Sequence, residues 1–94
     1  MGRETQVLRR QFTIYNKLGL HARSAAKIVQ TTNQFQSRIR LYKNGQEADA
    51  KSILGILTLA CPQGTRIEVH AEGADAAEAM EAIAVLFENN FGEE

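Results

Sequence analysis

The sequence predicts a small α+β domain, a two-layer sandwich with three helices over a four-stranded, mostly antiparallel sheet in the order βαββαβα. Two observations carry this expectation. Segments that alternate in polarity are interleaved with segments of helical period, and the middle pair of strands is joined by Asn44-Gly45, a strong hairpin signal. The 94 residues include one Pro and seven Gly, with no repeat and no biased tract, and are expected to form one domain over 1–94.

The elements follow in order. From about Val7 to Tyr15 the chain alternates and is rich in Val, Thr, Ile, Phe and Tyr, residues that suit a half-buried strand. Asn16, Lys17 and Gly19 break the pattern. A helix is then expected from Ala22 to about Asn33, with Ala22, Ala25, Ala26, Val29 and Thr32 or Asn33 on its buried stripe and His21 at its start. Ser37 to Lys43 sets Ile39 and Leu41 against Arg38, Arg40 and Tyr42, and pairs across the Asn44-Gly45 turn with Gln46 to Lys51.

Ser52 is a favoured N-cap and opens a short apolar helix to about Leu59, closed by Pro62-Gln63-Gly64. Arg66 to Glu72 points Ile67, Val69 and Ala71 inward. Ala74 to about Asn89 forms the last helix, with Ala76, Ala79, Met80, Ile83 and Phe87 in one stripe.

Composition removes several classes of function. The chain is 44% hydrophobic, too apolar for a disordered segment, yet no run is long enough for a membrane span. Met1 to Gln11 lacks the apolar centre of a secretory signal. Gly2 is not followed by Ser or Thr at position 6, as myristoylation would want. A lone cysteine, Cys61, closes no internal disulfide and has no zinc-spaced companions, so a reducing cytoplasm and an inert thiol are expected, with neither metal nor cofactor. His70, between Glu68 and Glu72 on the outward face of the last strand, is expected to be solvated.

Charge is divided unevenly. Residues 1–47 hold nine Lys and Arg against two acids, and residues 48–94 hold two against nine. A basic half suits an acidic partner or an anion. Nucleic acid is not expected, because the basic half lacks interleaved exposed aromatics and Phe12 and Phe35 are better spent in the core.

The chemistry centres on Lys17-Leu18-Gly19-Leu20-His21-Ala22-Arg23. An imidazole at a helix N-terminus stands among backbone N–H groups that have no intrahelical partner, at the positive end of the helix dipole. That is an anion site. Phosphate could be held by the first turn, from Ala22 to Ser24, with charge-assisted hydrogen bonds from Arg23. The same positive groups disfavour an imidazolium and leave His21 a nucleophile. A lone histidine in such a place is otherwise a plain cap.

The run Gly19-Leu20-His21-Ala22-Arg23 resembles the active-site signature of the histidine-containing phosphocarriers, HPr and its nitrogen-related paralogue, of the phosphoenolpyruvate-dependent phosphotransferase system. The likeness extends from Val7 to the end, through Asn44-Gly45, Ala50-Lys51-Ser52-Ile53 with Gly55, Gln63-Gly64 and Ala71-Glu72-Gly73. It implies an open-faced βαββαβα sandwich. It also implies that His21 takes phosphate on Nδ1 from phospho-enzyme I and passes it to an enzyme IIA, with Arg23 assisting. Ser52, a structural cap on its own reading, is in many members of the family phosphorylated by a dedicated serine kinase.

Ser24 stands where many members have Pro, and an altered hydrogen bond is expected there. Leu18 replaces a residue that is often small and polar. Asn16 to Gly19 and the ending Leu86 to Phe91 resemble the nitrogen-related branch, whereas Lys51 to Gly55 resembles sugar-system members.

Helix two offers more apolar surface than a one-sided helix buries, so a docking patch for partner proteins is expected from Leu20, Ile28, Ile53, Leu54 and Leu57. The function expected is phosphoryl relay, with the chain acting as a protein co-substrate. The alternative is a regulatory module that only binds partner proteins.

Overall fold

The computed structural model describes residues 6–93. Gly2 therefore lies outside the described residues. Strands β1 (Val7–Thr13), β2 (Arg38–Lys43), β3 (Gln46–Asp49) and β4 (Arg66–Glu72) form one sheet in the order β1-β4-β2-β3, every pairing antiparallel. Helices α1 (Ala22–Thr32), α2 (Ile53–Thr58) and α3 (Ala76–Glu88) cover one face, and a 3₁₀ turn, Asn90–Gly92, follows α3. No helix among the described residues is long and apolar enough to cross a membrane.

The sheet register explains the layering. Leu8, Ala71 and Ile39 lie in one row across β1, β4 and β2, and Val69 lies beside Leu41 in the next. These inward side chains meet Ala25, Ile28, Ile56, Ala79 and Ile83 of the helices to form the core. The ring of Phe12 stacks on Phe87 at 4.6 Å, and Phe91 meets Phe87 edge-on at 5.0 Å. At the hairpin, Asn44 and Gly45 both take positive φ, 49° and 83°, as a two-residue turn that matches strand twist requires.

Four expectations are corrected. The buried face of α1 is Ser24, Ala25, Ile28 and Thr32, while Ala22 and Asn33 are exposed. Alanines weigh little in choosing a face, so the larger Ile28 goes inward. The two hydroxyls can join it because each finds a carbonyl: Ser24 Oγ donates to Gly19 O at 3.0 Å and Thr32 Oγ1 to Ala50 O at 2.8 Å.

Strand β1 ends at Thr13. Ile14 stays fully buried, pairing with the 64–65 loop through Ile14 N–H to Thr65 O at 2.9 Å. His70 is half-buried rather than solvated: its ring lies 4.0 Å from that of Tyr42 and its Nε2 meets Glu68 at 2.8 Å. Helix α3 begins at Ala76, because Asp75 turns its carboxylate away from the helix to Ser37 and the Gln36 N–H.

Candidate functional site

The loop before α1 is fixed by its own backbone. Gly19 has φ +67°, and a Cβ there would fall 2.3 Å from the Cys61 carbonyl oxygen. Leu20 N–H donates to that oxygen at 2.9 Å, and Asn16, fully buried, donates from Nδ2 to Gly19 O at 2.8 Å. His21 emerges from this knot as the N-cap of α1, in extended conformation. The Ser24 hydroxyl accepts from the His21 N–H at 2.9 Å, and the Arg23 N–H reaches His21 Nδ1 at 3.4 Å.

The His21 side chain is 27% exposed, on the surface rather than at the bottom of a cleft. Its Nε2 lies 2.8 Å and 3.0 Å from the two carboxylate oxygens of Glu93. Local sequence places only positive groups around this ring, and Glu93 is a functional candidate that no local pattern marks. Burial works to raise the Glu93 carboxyl. Hydrogen bonds from His21 and Asn16 and the charges of His21 and Arg23 outweigh that, and hold it below its ordinary value.

Of the sequence-predicted residues, the structure brings together His21, Ala22, Arg23 and Ser24 at the start of α1. Ala22 and Arg23 are exposed, which leaves the guanidinium open to an anion, while the Arg23 N–H is held by His21 Nδ1. Ser24 is fully buried and its hydroxyl is bonded within the cap, so it shapes the helix start and does not itself face a ligand. Ser52 caps α2, accepting from Gly55 N–H at 3.0 Å.

The docking patch needs correction at two positions. Ile53 and Leu54 are exposed, at 41% and 75%, and Leu57 is half-buried against the core. Leu20 and Ile28 are buried and present no surface, because the Gly19 knot turns Leu20 inward and α1 faces Ile28 to the core. Leu18 and Tyr15, exposed at 69% and 66% in the loop before His21, supply further apolar surface outside the expected patch. Cys61 is buried, and that burial raises its thiol despite the opposing charge of Lys43, as an inert thiol requires.

Fold and site together describe a small surface carrier with a histidine at a helix N-terminus. Residues 8–89 match the family described as PTS HPr component phosphorylation site. The chain is 50% identical over 88 residues to phosphocarrier protein HPr of Xylella fastidiosa, covering 94% of this chain and 99% of that one. It is 43% identical over 86 residues to phosphocarrier protein NPr of Proteus mirabilis, covering 90% and 96%. Among solved structures, HPr-C-His from Thermoanaerobacter tengcongensis superposes with a TM-score of 0.89 at 45% identity, covering 93% and 98%. The chain belongs to the HPr family of phosphotransferase-system phosphocarriers.

Proposed function

We propose that this phosphocarrier accepts a phosphoryl group on His21 from phospho-enzyme I and passes it to enzyme IIA-type proteins in the cytoplasm. The observation that carries this reading is His21 itself, a partly exposed N-cap whose neighbours Ala22 and Arg23 are open to solvent. A phosphoryl group on the ring meets the positive helix end, where its oxygens can take over the Arg23 N–H now held by Nδ1, and its charge is spread without any metal. Arg23 adds a planar, permanently charged donor to the moving phosphoryl oxygens.

Because the site is a surface and not a pocket, the donor protein supplies the other half of the transfer geometry. The chain is then a co-substrate more than a stand-alone enzyme. Docking is assigned to Ile53 and Leu54, with Leu57 at their edge, and Leu18 and Tyr15 extend the apolar surface from the loop before His21. Ser52, at the start of α2, is the regulatory position a serine kinase would modify. Family membership does not favour a module that only binds partners.

The test is incubation with phosphoenolpyruvate and a generic enzyme I, followed by intact mass. Wild type should gain one phosphoryl group, labile in acid and stable in base, and His21→Ala should gain none. Labelling that persists in His21→Ala would remove His21 as the acceptor.

A further inference from the structure

We infer that Glu93 is a positioning residue that selects which nitrogen of His21 accepts the phosphoryl group, by holding Nε2–H and leaving Nδ1 as the nucleophile. The inference rests on the carrier reading and adds to it the group that orients the ring.

The two faces of the ring are differently occupied. At Nε2 both carboxylate oxygens of Glu93 stand within 3.0 Å, and an ionised carboxylate can only accept. Nε2 therefore carries the proton. At Nδ1 the approaching group is the Arg23 N–H, a donor, so Nδ1 presents its lone pair. A hydrogen bond at one ring nitrogen sets what the other can do.

The carboxylate is placed by construction and not by a loose tail. Asn90, Phe91 and Gly92 all take positive φ, at 53°, 56° and 71°, which turns the chain back toward α1. Such a turn in non-glycine residues persists only where the surroundings hold it. Here Phe91 is buried against Phe87, Lys27 Nζ donates to the Phe91 carbonyl, and Asn16 Nδ2 donates to the Glu93 carboxylate at 3.0 Å.

The charges agree with this assignment. A phosphoryl group approaching Nε2 meets a carboxylate, and one approaching Nδ1 meets the N–H groups of α1 and Arg23. In the transfer, the Arg23 N–H moves from Nδ1 to a phosphoryl oxygen, the Nδ1 lone pair forms the new P–N bond, and the donor's bond to phosphorus breaks and returns its pair to the donor atom. The proton stays on Nε2 throughout. The resulting phosphoimidazolium is matched by the Glu93 carboxylate, and onward transfer returns the bonding pair to Nδ1.

The test reads the ring nitrogens of ¹⁵N-labelled full chain by long-range ¹H–¹⁵N correlation, at alkaline pH and with no phosphoryl donor. Wild type should show Nδ1 unprotonated and Nε2 protonated, whereas Glu93→Ala should move the two signals toward each other as the tautomers mix. With donor added, the variant should lose roughly tenfold in the first-order rate of its phosphorylation at saturating enzyme I, the lower end of effects seen when a metal-bound histidine loses its orienting partner. Should Glu93→Ala disturb the backbone amide spectrum, Glu93→Leu keeps the bulk without an acceptor and should mix the tautomers in the same way.

Ring signals in Glu93→Ala identical to wild type would overturn the inference, whatever the rate. If the ring signals shift but neither protein takes phosphate, the carrier reading fails while the ring contact stands.

Discussion

The carbonyl oxygen of Cys61 occupies the space a side chain on Gly19 would need, 2.3 Å from an ideal Cβ, and the same oxygen accepts the Leu20 N–H at 2.9 Å. The approach to His21 is thus set by the end of the segment that follows α2. Any side chain at position 19 must displace Cys61 or Pro62 backbone and also hold φ near +67°.

Gly19→Ala should therefore destabilise the fold by about 2 kcal/mol or more, since the left-handed penalty alone is roughly 1–2 kcal/mol and the clash adds to it. Urea unfolding measures this. Phosphorylation of His21 should slow even where the variant is fully folded, because the N-cap moves. A variant with wild-type midpoint and rate would show that the loop relaxes freely.

Arg23 is exposed at the second position of α1 and contributes to the charge around Glu93 and His21 without belonging to the core. Arg23→Ala should leave the melting temperature within a few degrees of wild type and slow phosphoryl transfer by on the order of tenfold or more in at least one direction, as loss of a donor to a developing charge does. Rapid-quench rates with enzyme I and with an acceptor protein test both directions. Equal rates in the variant would take Arg23 out of the mechanism.

Asp75 links α3 to the loop before β2. Its carboxylate accepts from the Ser37 hydroxyl and from the Gln36 and Ser37 N–H groups at 2.9 Å each. The Ser37 hydroxyl first, and the Gln36 N–H next, hold it below its ordinary value of 3.8. A carboxyl lowered in the folded state contributes stability that is fully present above the ordinary value and is lost as pH falls through the lowered one. Asp75→Asn should thus melt below wild type at pH 7, with the gap closing from about pH 4 downward. Melting temperatures across pH 2–7 decide it, and a gap independent of pH would mean the ionised form is not what matters.

Ser52 caps α2 through Gly55, and a Cβ on Gly55 would lie 3.2 Å from the Ser52 oxygen, so the glycine keeps that cap open. Ser52→Glu exchanges the cap bond for a negative charge at the helix start. These effects are each worth about 1 kcal/mol and oppose one another, so thermal stability should stay close to wild type. Docking should suffer instead, because the charge must be desolvated beside Ile53 and Leu54, both exposed. The initial rate of His21 phosphorylation should fall and partly recover at high enzyme I concentration. A wild-type rate at every concentration would return Ser52 to a plain cap.

What the sequence determined on its own is what local chemistry decides. Alternation placed Ile39, Leu41, Ile67 and Val69 inward, Asn44-Gly45 made the hairpin turn, Ser52 capped α2, and the stripe from Ala76 to Phe87 faced the core. Each rests on a period or a backbone angle that neighbouring residues fix. His21 at a helix start beside Arg23 was legible for the same reason.

Tertiary structure decided the rest. Which side of α1 is buried depended on what packs against it, since its alanines fit either way; hence Ile28 and Leu20 belong to the core and not to a docking patch. Asp75 serves Ser37, 38 residues away, and Glu93 reaches His21 across 72 residues through a turn with three left-handed residues. Such contacts have no local period, and the residues that make them look like solvated charge in the chain. They form because buried neighbours, Phe91 against Phe87 above all, hold the backbone in a conformation that local preferences disfavour.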